Sequence, residues 1–284
     1  MKFAFIEKNR YLHKVSLLCE LLDVSRSGYY AWRDRPVSLH RQHDMLLMKL
    51  IKELHQGYRR VYGAARLHQV LRQRGYSCSR RRINRLMREL GIKASTVSLY
   101  AWRPGQHEFY SSTGNQLKQL DDPVQPGEQW VSDFTYIRTR KGWVYHAVVL
   151  DLFSRKVVGW SFSKKRNTEL TKSALRMALL RNKPQPACLI HSDQGIEYAA
   201  HEFRDMVMDA GLVRSMSRKG NPLDNATMES FFHSMKAELI HQQVFENEIE
   251  AVAHIVEYIE FYNRDRLHSS LDYQSPEMYE KLSA

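Results

Sequence analysis

The sequence predicts an α/β core, a mixed five-stranded sheet with flanking helices, preceded by an all-α helix-turn-helix region. Three observations predict it. From Trp130 onward, segments 130–137, 143–150 and 156–163 are rich in β-branched and aromatic residues, with Arg140-Lys141-Gly142 and Ser154-Arg155 as turns. Helical and strand patterns then alternate, which indicates an α/β domain. Upstream, apolar residues recur only at helical spacing, and there the charge collects. Residues 1–120 carry 23 Lys/Arg and 8 Asp/Glu, a balance of +15, whereas residues 121–284 carry 20 and 23, a balance of −3.

A chain of 284 residues with 43% apolar content is long enough for about two domains with real cores. No apolar run approaches the ~18 residues of a membrane span. Charge interrupts Met1-Lys2-Phe3-Ala4-Phe5-Ile6-Glu7-Lys8 too early for a signal peptide. Cys19, Cys78 and Cys188 are far apart with no Cys-x-x-Cys, which fits a reducing cytoplasm and neither a disulfide framework nor a zinc knuckle. The basic surplus of the N-terminal part points to a polyanion, nucleic acid first; a solvated basic face is the plainer reading.

Residues 11–35 read as two short helices. Val15, Leu18, Cys19 and Leu22 form one stripe, and Ser25 caps Arg26 to Arg33 with its Tyr29, Tyr30 and Trp32. This is either half of a helix-turn-helix or a small hairpin whose aromatics are core. Beyond Pro36, Met45 to Leu54 is amphipathic through Leu46, Leu47, Leu50, Ile51 and Leu54. A turn at 58–63 leads to a helix with Leu67, Val70 and Leu71, ended by Gly75. Ser79 then caps a helix over Arg80–Leu90, closed by Gly91. Ile83, Leu86, Met87 and Leu90 mark its buried face, and Arg81, Arg82, Arg85 and Arg88 lie largely off it. That layout suits a second helix entering a DNA major groove, with those four arginines as candidate DNA-binding residues. Basic surface helices often touch phosphates alone. His40, His43, His55 and His68 are scattered and read as ordinary histidines.

Residues 94–127 lose periodicity and collect Ser, Pro and Gly, which predicts a linker, ordered only on DNA. After the three strands come a helix over 168–181, a strand over 187–190, a helix near 199–210, a strand over 213–217 and a helix carrying Glu229. The loop 217–222 between them is expected to be mobile and near the site.

The candidate site is built from three acids. Asp133 lies in the first strand, Asp193 follows the apolar run Ala187-Cys188-Leu189-Ile190, and Glu229 borders the helical stripe Met228, Phe232, Met235 and Leu239. Lys236 returns to nearly the Glu229 face after two turns, at about 100° per residue, and is placed for a phosphate. Three hard oxygen donors on a strand, a strand end and a helix suit one or two Mg²⁺ ions, the kind of site that supports phosphodiester displacement. The spacing alone, 59 residues and then 35, means little among 31 acidic residues. Its surroundings mean more. Trp130…Asp133-Phe134-Thr135-Tyr136, His191-Ser192-Asp193-Gln194-Gly195…Tyr198 and Gly220-Asn221-Pro222…Asp224-Asn225-Ala226…Glu229-Ser230-Phe231-Phe232…Lys236 resemble the catalytic core of the integrase-like transposases of bacterial insertion sequences. The resemblance is to the product of the second reading frame, within the DDE superfamily that also holds retroviral integrases, and it covers nearly the whole chain.

The resemblance implies a ribonuclease-H-like core, with Asp133, Asp193 and Glu229 both catalytic and metal-binding, and two Mg²⁺ ions for which Mn²⁺ can substitute. It implies cleavage at element ends and strand transfer by a DNA 3′-OH, often through a circular intermediate. The implied partners are terminal inverted repeats, target DNA, further copies of the chain on DNA, and an upstream-frame product fused by frameshifting. No sustained heptad stripe is present for oligomerisation. The zinc-binding His/Cys module of retroviral integrases has no counterpart in the sequence. The expected division is 1–36 helical, 40–93 helix-turn-helix, 94–127 linker, 128–245 catalytic core and 246–284 C-terminal extension. The tail, Tyr258…Tyr262-Asn263…Arg266…His268…Leu271…Pro276, reads first as a helix end packed back on the core, with Arg266 and His268 as the residues that would meet a phosphate. Two rivals stay open: a non-catalytic DNA-binding regulator, and a nuclease that cuts without joining.

Overall fold

The computed structural model describes residues 1–95, 122–193, 195–216 and 226–283. The expected linker lies mostly outside the described residues, as does the 217–222 loop. The chain divides into two compact units, Met1–Glu53 and Leu54–Ala284.

In the first unit, α1 (Lys2–Asn9), α2 (Val15–Leu21) and α3 (Arg26–Arg33) enclose a small core of Ile6, Leu18, Cys19 and Tyr29. Helix α1, which the sequence pattern does not announce, supplies one wall of that core through Phe3 and Ile6. Ser25 caps α3 by accepting from the Gly28 N–H at 3.0 Å. Of the three aromatics on α3, Tyr29 alone is fully buried, donating its hydroxyl to Glu7. Tyr30 and Trp32 stay about a third exposed. Helix α4 (Leu39–Gly57) begins in this unit and ends in the next. Leu47, Ile51 and Leu54 form its buried stripe, but Leu46, expected to share it, is exposed because it points one step off that stripe.

In the second unit, α5 (Ala64–Gln73) packs on α6 (Arg80–Glu89). Ser79 caps α6, accepting from Arg82 N–H at 3.2 Å, and Gly75 and Gly91 end the two helices at φ +83° and +65°.

The sheet is β1 (Gln129–Thr139), β2 (Gly142–Asp151), β3 (Val157–Ser163), β4 (Leu189–Ser192) and β5 (Val213–Met216), in the order β3-β2-β1-β4-β5. β1, β2 and β3 form an antiparallel meander; β4 and β5 add in parallel. Helix α7 (Thr168–Arg181) lies on β2 and β3, so close that a Cβ on Gly159 would sit 2.3 Å from the Ala174 carbonyl oxygen. The start of β1 is pinned by a buried carboxylate. Asp151 accepts from Gly127 N–H (2.7 Å), the Trp130 indole (3.2 Å) and the Ser154 N–H (2.9 Å) and hydroxyl (3.1 Å).

Two expected boundaries move. The β4 strand begins at Leu189 rather than Ala187, because Ala187 takes a left-handed φ of +58° and Cys188 N–H turns back to the Gln185 carbonyl. The helix near 199–210 is two: α8 (Ile196–Ala199) and α9 (His201–Asp209), split where Ala200 is extended. The remaining helices are α10 (Ala226–Glu238), α11 (Glu248–Arg264) and α12 (Pro276–Ser283). α11 packs against β1, β2 and β3, and Asn263 clamps the Val157 backbone, donating to its carbonyl and accepting from its N–H, both at 2.9 Å. The tail therefore does pack back on the core.

Candidate active site

Parallel pairing of β1 with β4 ends at Ser132↔Ser192, so Asp133 and Asp193 are the next residues on neighbouring strands. β1 runs on to Thr139 while β4 stops, leaving Asp193 at a strand end, where a parallel α/β sheet opens its crevice. Each aspartate is oriented by local backbone. Asp133 Oδ1 accepts from Phe134 N–H at 2.7 Å, and Asp193 Oδ1 accepts from Gly195 N–H at 2.9 Å.

Behind them, fully buried Tyr198 shares a 3.0 Å hydroxyl hydrogen bond with Ser132. Burial, then the charges of Asp133 and Asp193, hold its phenol well above its ordinary range, so it stays protonated and neutral. Arg166 flanks the pair, ion-paired to Glu197 and lying over the Phe134 ring at 4.8 Å. The hydrogen bond to Glu197, and lesser charges that include Asp193, raise its pKa. Sequence reasoning missed Arg166; the signal was the run Lys164-Lys165-Arg166 just before the Asn167 cap of α7.

Helix α10 packs on β1 and presents Glu229 in its first turn. The expected stripe of Met228, Phe232, Met235 and Leu239 is buried, and Phe231 and Ala237 join it, so α10 is enclosed on more sides than the stripe implied. Glu229 is half-buried and makes no ion pair or side-chain hydrogen bond with any described residue; burial alone raises its pKa. Lys236 Nζ lies 5.8 Å from the centre of the Tyr136 ring on β1, which in turn meets Trp143 edge-on at 5.3 Å. Among the described residues, no group of three or more His, Cys, Asp and Glu is gathered closely enough to hold a metal ion. The two aspartates are thus neighbours, and Glu229 stands on an adjoining helix without closing a ligand cluster.

The four candidate arginines of α6 project from a helix whose Ile83, Leu86 and Met87 are buried. Arg81, Arg85 and Arg88 are exposed, and Arg82 is half-exposed. Arg85 is drawn into an i,i+4 ion pair with Glu89.

The sheet order, the helices that cover it and the paired aspartates at its crevice define a ribonuclease-H-like core of the integrase kind, with a helical, helix-turn-helix-like region before it. Residues 123–222 match the family described as integrase core domain, residues 210–276 match a second family of the same description, and residues 42–97 match an HTH-like domain. The chain is 38% identical over 272 residues to the insertion element IS600 uncharacterized 31 kDa protein of Shigella sonnei, covering 94% of this chain and 100% of that one. It is 38% identical over 241 residues to the transposase for insertion sequence element IS904 of Lactococcus lactis, covering 84% and 95%. It is 35% identical over 283 residues to transposase InsF for insertion sequence IS3A of Escherichia coli, covering 99% and 98%. The fold is shared with a chain of a simian T-cell lymphotropic virus intasome at a TM-score of 0.51 and 16% identity, covering 81% of this chain and 74% of that one. The chain belongs to the transposases of IS3-family insertion sequences, and its function is DNA transposition. It is a polynucleotidyl transferase of the integrase-core type.

Proposed function

We propose that the chain cleaves DNA at the ends of its element and joins the freed 3′-OH to target DNA, with Asp133, Asp193 and Glu229 as the catalytic carboxylates. The observation that carries this reading is the β1–β4 register, which makes Asp133 and Asp193 neighbours at the crevice of an integrase-type sheet. The donor set fits Mg²⁺, and Mn²⁺ in its place: all three are hard oxygen ligands. Glu229 adds a physical reason, since a half-buried carboxylate without a described cationic partner is a charge in want of a counter-ion. Bound there, two ions would supply Lewis-acid stabilisation of the phosphodiester's charge and lower the pKa of an attacking water.

The chain's own residues then bind and orient. Asp133 and Asp193 are held by backbone N–H groups. Tyr198 keeps a neutral, water-excluding floor under them. Lys236, over the exposed Tyr136, is placed to hold a phosphate of the end being processed. Direct attack by water or a DNA 3′-OH needs no covalent protein–DNA intermediate, so no Ser or Tyr nucleophile is assigned. Residues 1–36 and 40–93, with Arg81, Arg82, Arg85 and Arg88, grip terminal repeats; 128–245 performs the chemistry, 246–284 braces it and 94–127 links the two. Several copies assemble on DNA in the cytoplasm, alone or fused to an upstream-frame product.

Asp133→Asn, Asp193→Asn and Glu229→Gln are each expected to abolish cleavage of an end-sequence duplex in Mg²⁺ while leaving its gel-shift unchanged, because the isosteres keep shape and remove charge. Near wild-type cleavage by any one of them would take that residue out of the site. Joined products on the same gel separate a transposase from a nuclease that only cuts.

A further inference from the structure

A sizeable cavity lies away from the paired aspartates. It has a volume of about 560 Å³ and opens on the other side of α10. Thr227, Ser230, Ser234 and Glu238 line it from that helix. At about 100° per residue they share one face, and Glu229 and Lys236 lie roughly opposite. Arg66 comes from α5, Arg155 from the β2–β3 turn and Arg266 from the segment after α11.

The three guanidiniums are not equally engaged. Arg266 is 4% exposed and spends its fork on Glu238, through Nε at 2.8 Å and Nη2 at 2.7 Å, with Ser234 at 3.2 Å from Nη2. Burial opposes its charge, but the Tyr258 hydroxyl and Glu238 hold its pKa raised. His268, beside it at 3.3 Å from Nη1, is pushed down to about 2 by burial and then by Arg266, Arg66 and Arg155, so it is neutral. Glu238 is thereby committed to Arg266. Arg66 reaches it only at 3.7 Å, past hydrogen-bonding range, and makes no hydrogen bond to a described residue. Burial, then repulsion from Arg266, lowers the Arg66 pKa. Arg155 donates one N–H to Thr227 and is held by a left-handed turn at φ +62°. Three guanidiniums against one carboxylate leave the cavity two positive charges in surplus.

We propose that this cavity is a second phosphate-binding site, in which Arg66 and Arg155 grip a tetrahedral oxyanion and the Arg266–Glu238 pair is the rigid frame that aims them. Guanidinium forks converging from separate elements suit phosphate oxygens, and the hydroxyls of Ser230 and Ser270 at the rim add short donors. The volume admits a nucleotide-sized group as well as a free anion, since ligand pockets run from about 300 to 1,000 Å³. Two sources share this chemistry. One is a backbone phosphate of a DNA strand, which rests on the function proposed above; the other is free phosphate. In the first case α10 handles DNA on both faces, with Glu229 and Lys236 on one and this cavity on the other.

The test reads binding in the full chain carrying Asp133→Asn, without divalent ions, so it neither uses nor depends on cleavage. Wild-type, Arg155→Gln and Ser270→Glu cavities are compared, the last adding a carboxylate at an exposed rim position. Inorganic phosphate is expected to raise the melting temperature above that in chloride of equal ionic strength, by mass action on the folded state, and both changes should remove the increment. For duplex DNA, both should flatten the dependence of log K on log salt by about one unit, one phosphate contact. Loss of both readouts in the variants assigns the site to a DNA strand; loss of the phosphate increment with unchanged DNA slopes assigns it to a free anion; a flattened slope with no phosphate increment assigns it to DNA only. No phosphate increment in the parent, together with unchanged DNA slopes in both variants, would overturn the proposal.

Discussion

His146 offers a sharp quantitative test of the core. It sits on β2, fully buried, stacked on Phe162 with ring centres 4.4 Å apart and with Nδ1 3.2 Å from the Ser161 carbonyl; Nε2 has no hydrogen-bond partner among the described residues. Burial pushes its pKa down to about 4, so the folded protein keeps it neutral while the unfolded chain protonates it near pH 6.5. The sign follows. Below about pH 6.5 the unfolded state binds more protons, and stability falls as pH falls. At about 1.4 kcal/mol per unit, His146 alone removes about 2 kcal/mol between pH 7 and pH 5. His268, held at about 2, is expected to remove a similar amount. His55, lowered by burial, acts in the same direction. Asp151 and Glu229, raised by burial, oppose them above their ordinary range, equally in wild type and variant. His146→Phe keeps an aromatic ring against Phe162 and removes the titration. Urea unfolding at both pH values should show the variant losing about 2 kcal/mol less than wild type. Parallel losses in the two proteins would mean that His146 does not stay neutral in the fold, and would refute the reasoning.

Lys236→Ala should weaken binding of a cleaved end more than it shifts the Mg²⁺ titration of cleavage; equal shifts would make Lys236 a tuner of the carboxylates. Replacing Arg81, Arg82, Arg85 and Arg88 together by Gln should flatten the salt dependence of DNA binding by up to about one unit per lost phosphate contact. Arg85, already paired with Glu89, should contribute least when changed alone. Gly159→Ala should destabilise the core by about 1–3 kcal/mol, because the new methyl meets α7 backbone at 2.3 and 2.7 Å and no side chain can rotate away. An unchanged melting temperature would show that α7 yields.

The sequence made the meander legible because its three strands are rich in β-branched and aromatic residues and the turns between them are short. It also placed the acids, since a strand end and an amphipathic helix announce themselves by local pattern. What it concealed is held by partners far apart in the chain. Arg266 meets Glu238 across 28 positions, and Ser154 meets Glu280 across 126. Buried polar pairs of this kind leave no periodic trace, and a glutamate on a helix reads as solvated until its partner is seen. Ala187 went astray for a different reason. An apolar run shows where a strand can be buried but not the one residue whose left-handed φ delays it.

The parallel seam between β1 and β4 also sets a timetable. The antiparallel strands before it are joined by short turns and can pair as soon as they are made, whereas β4 must close back across β3 and all of α7 to reach β1. Contacts of such long sequence separation carry a larger closure entropy and form slowly. A growing chain that ends anywhere before Leu189 has β1 paired with β2 but not with β4, so Asp133 has no Asp193 beside it. β4 is four residues long, so a local opening that frees it would undo the pair without unravelling the meander. Nascent, truncated or frayed chains therefore lack the aspartate pair, and its assembly reports that β4 has docked on β1.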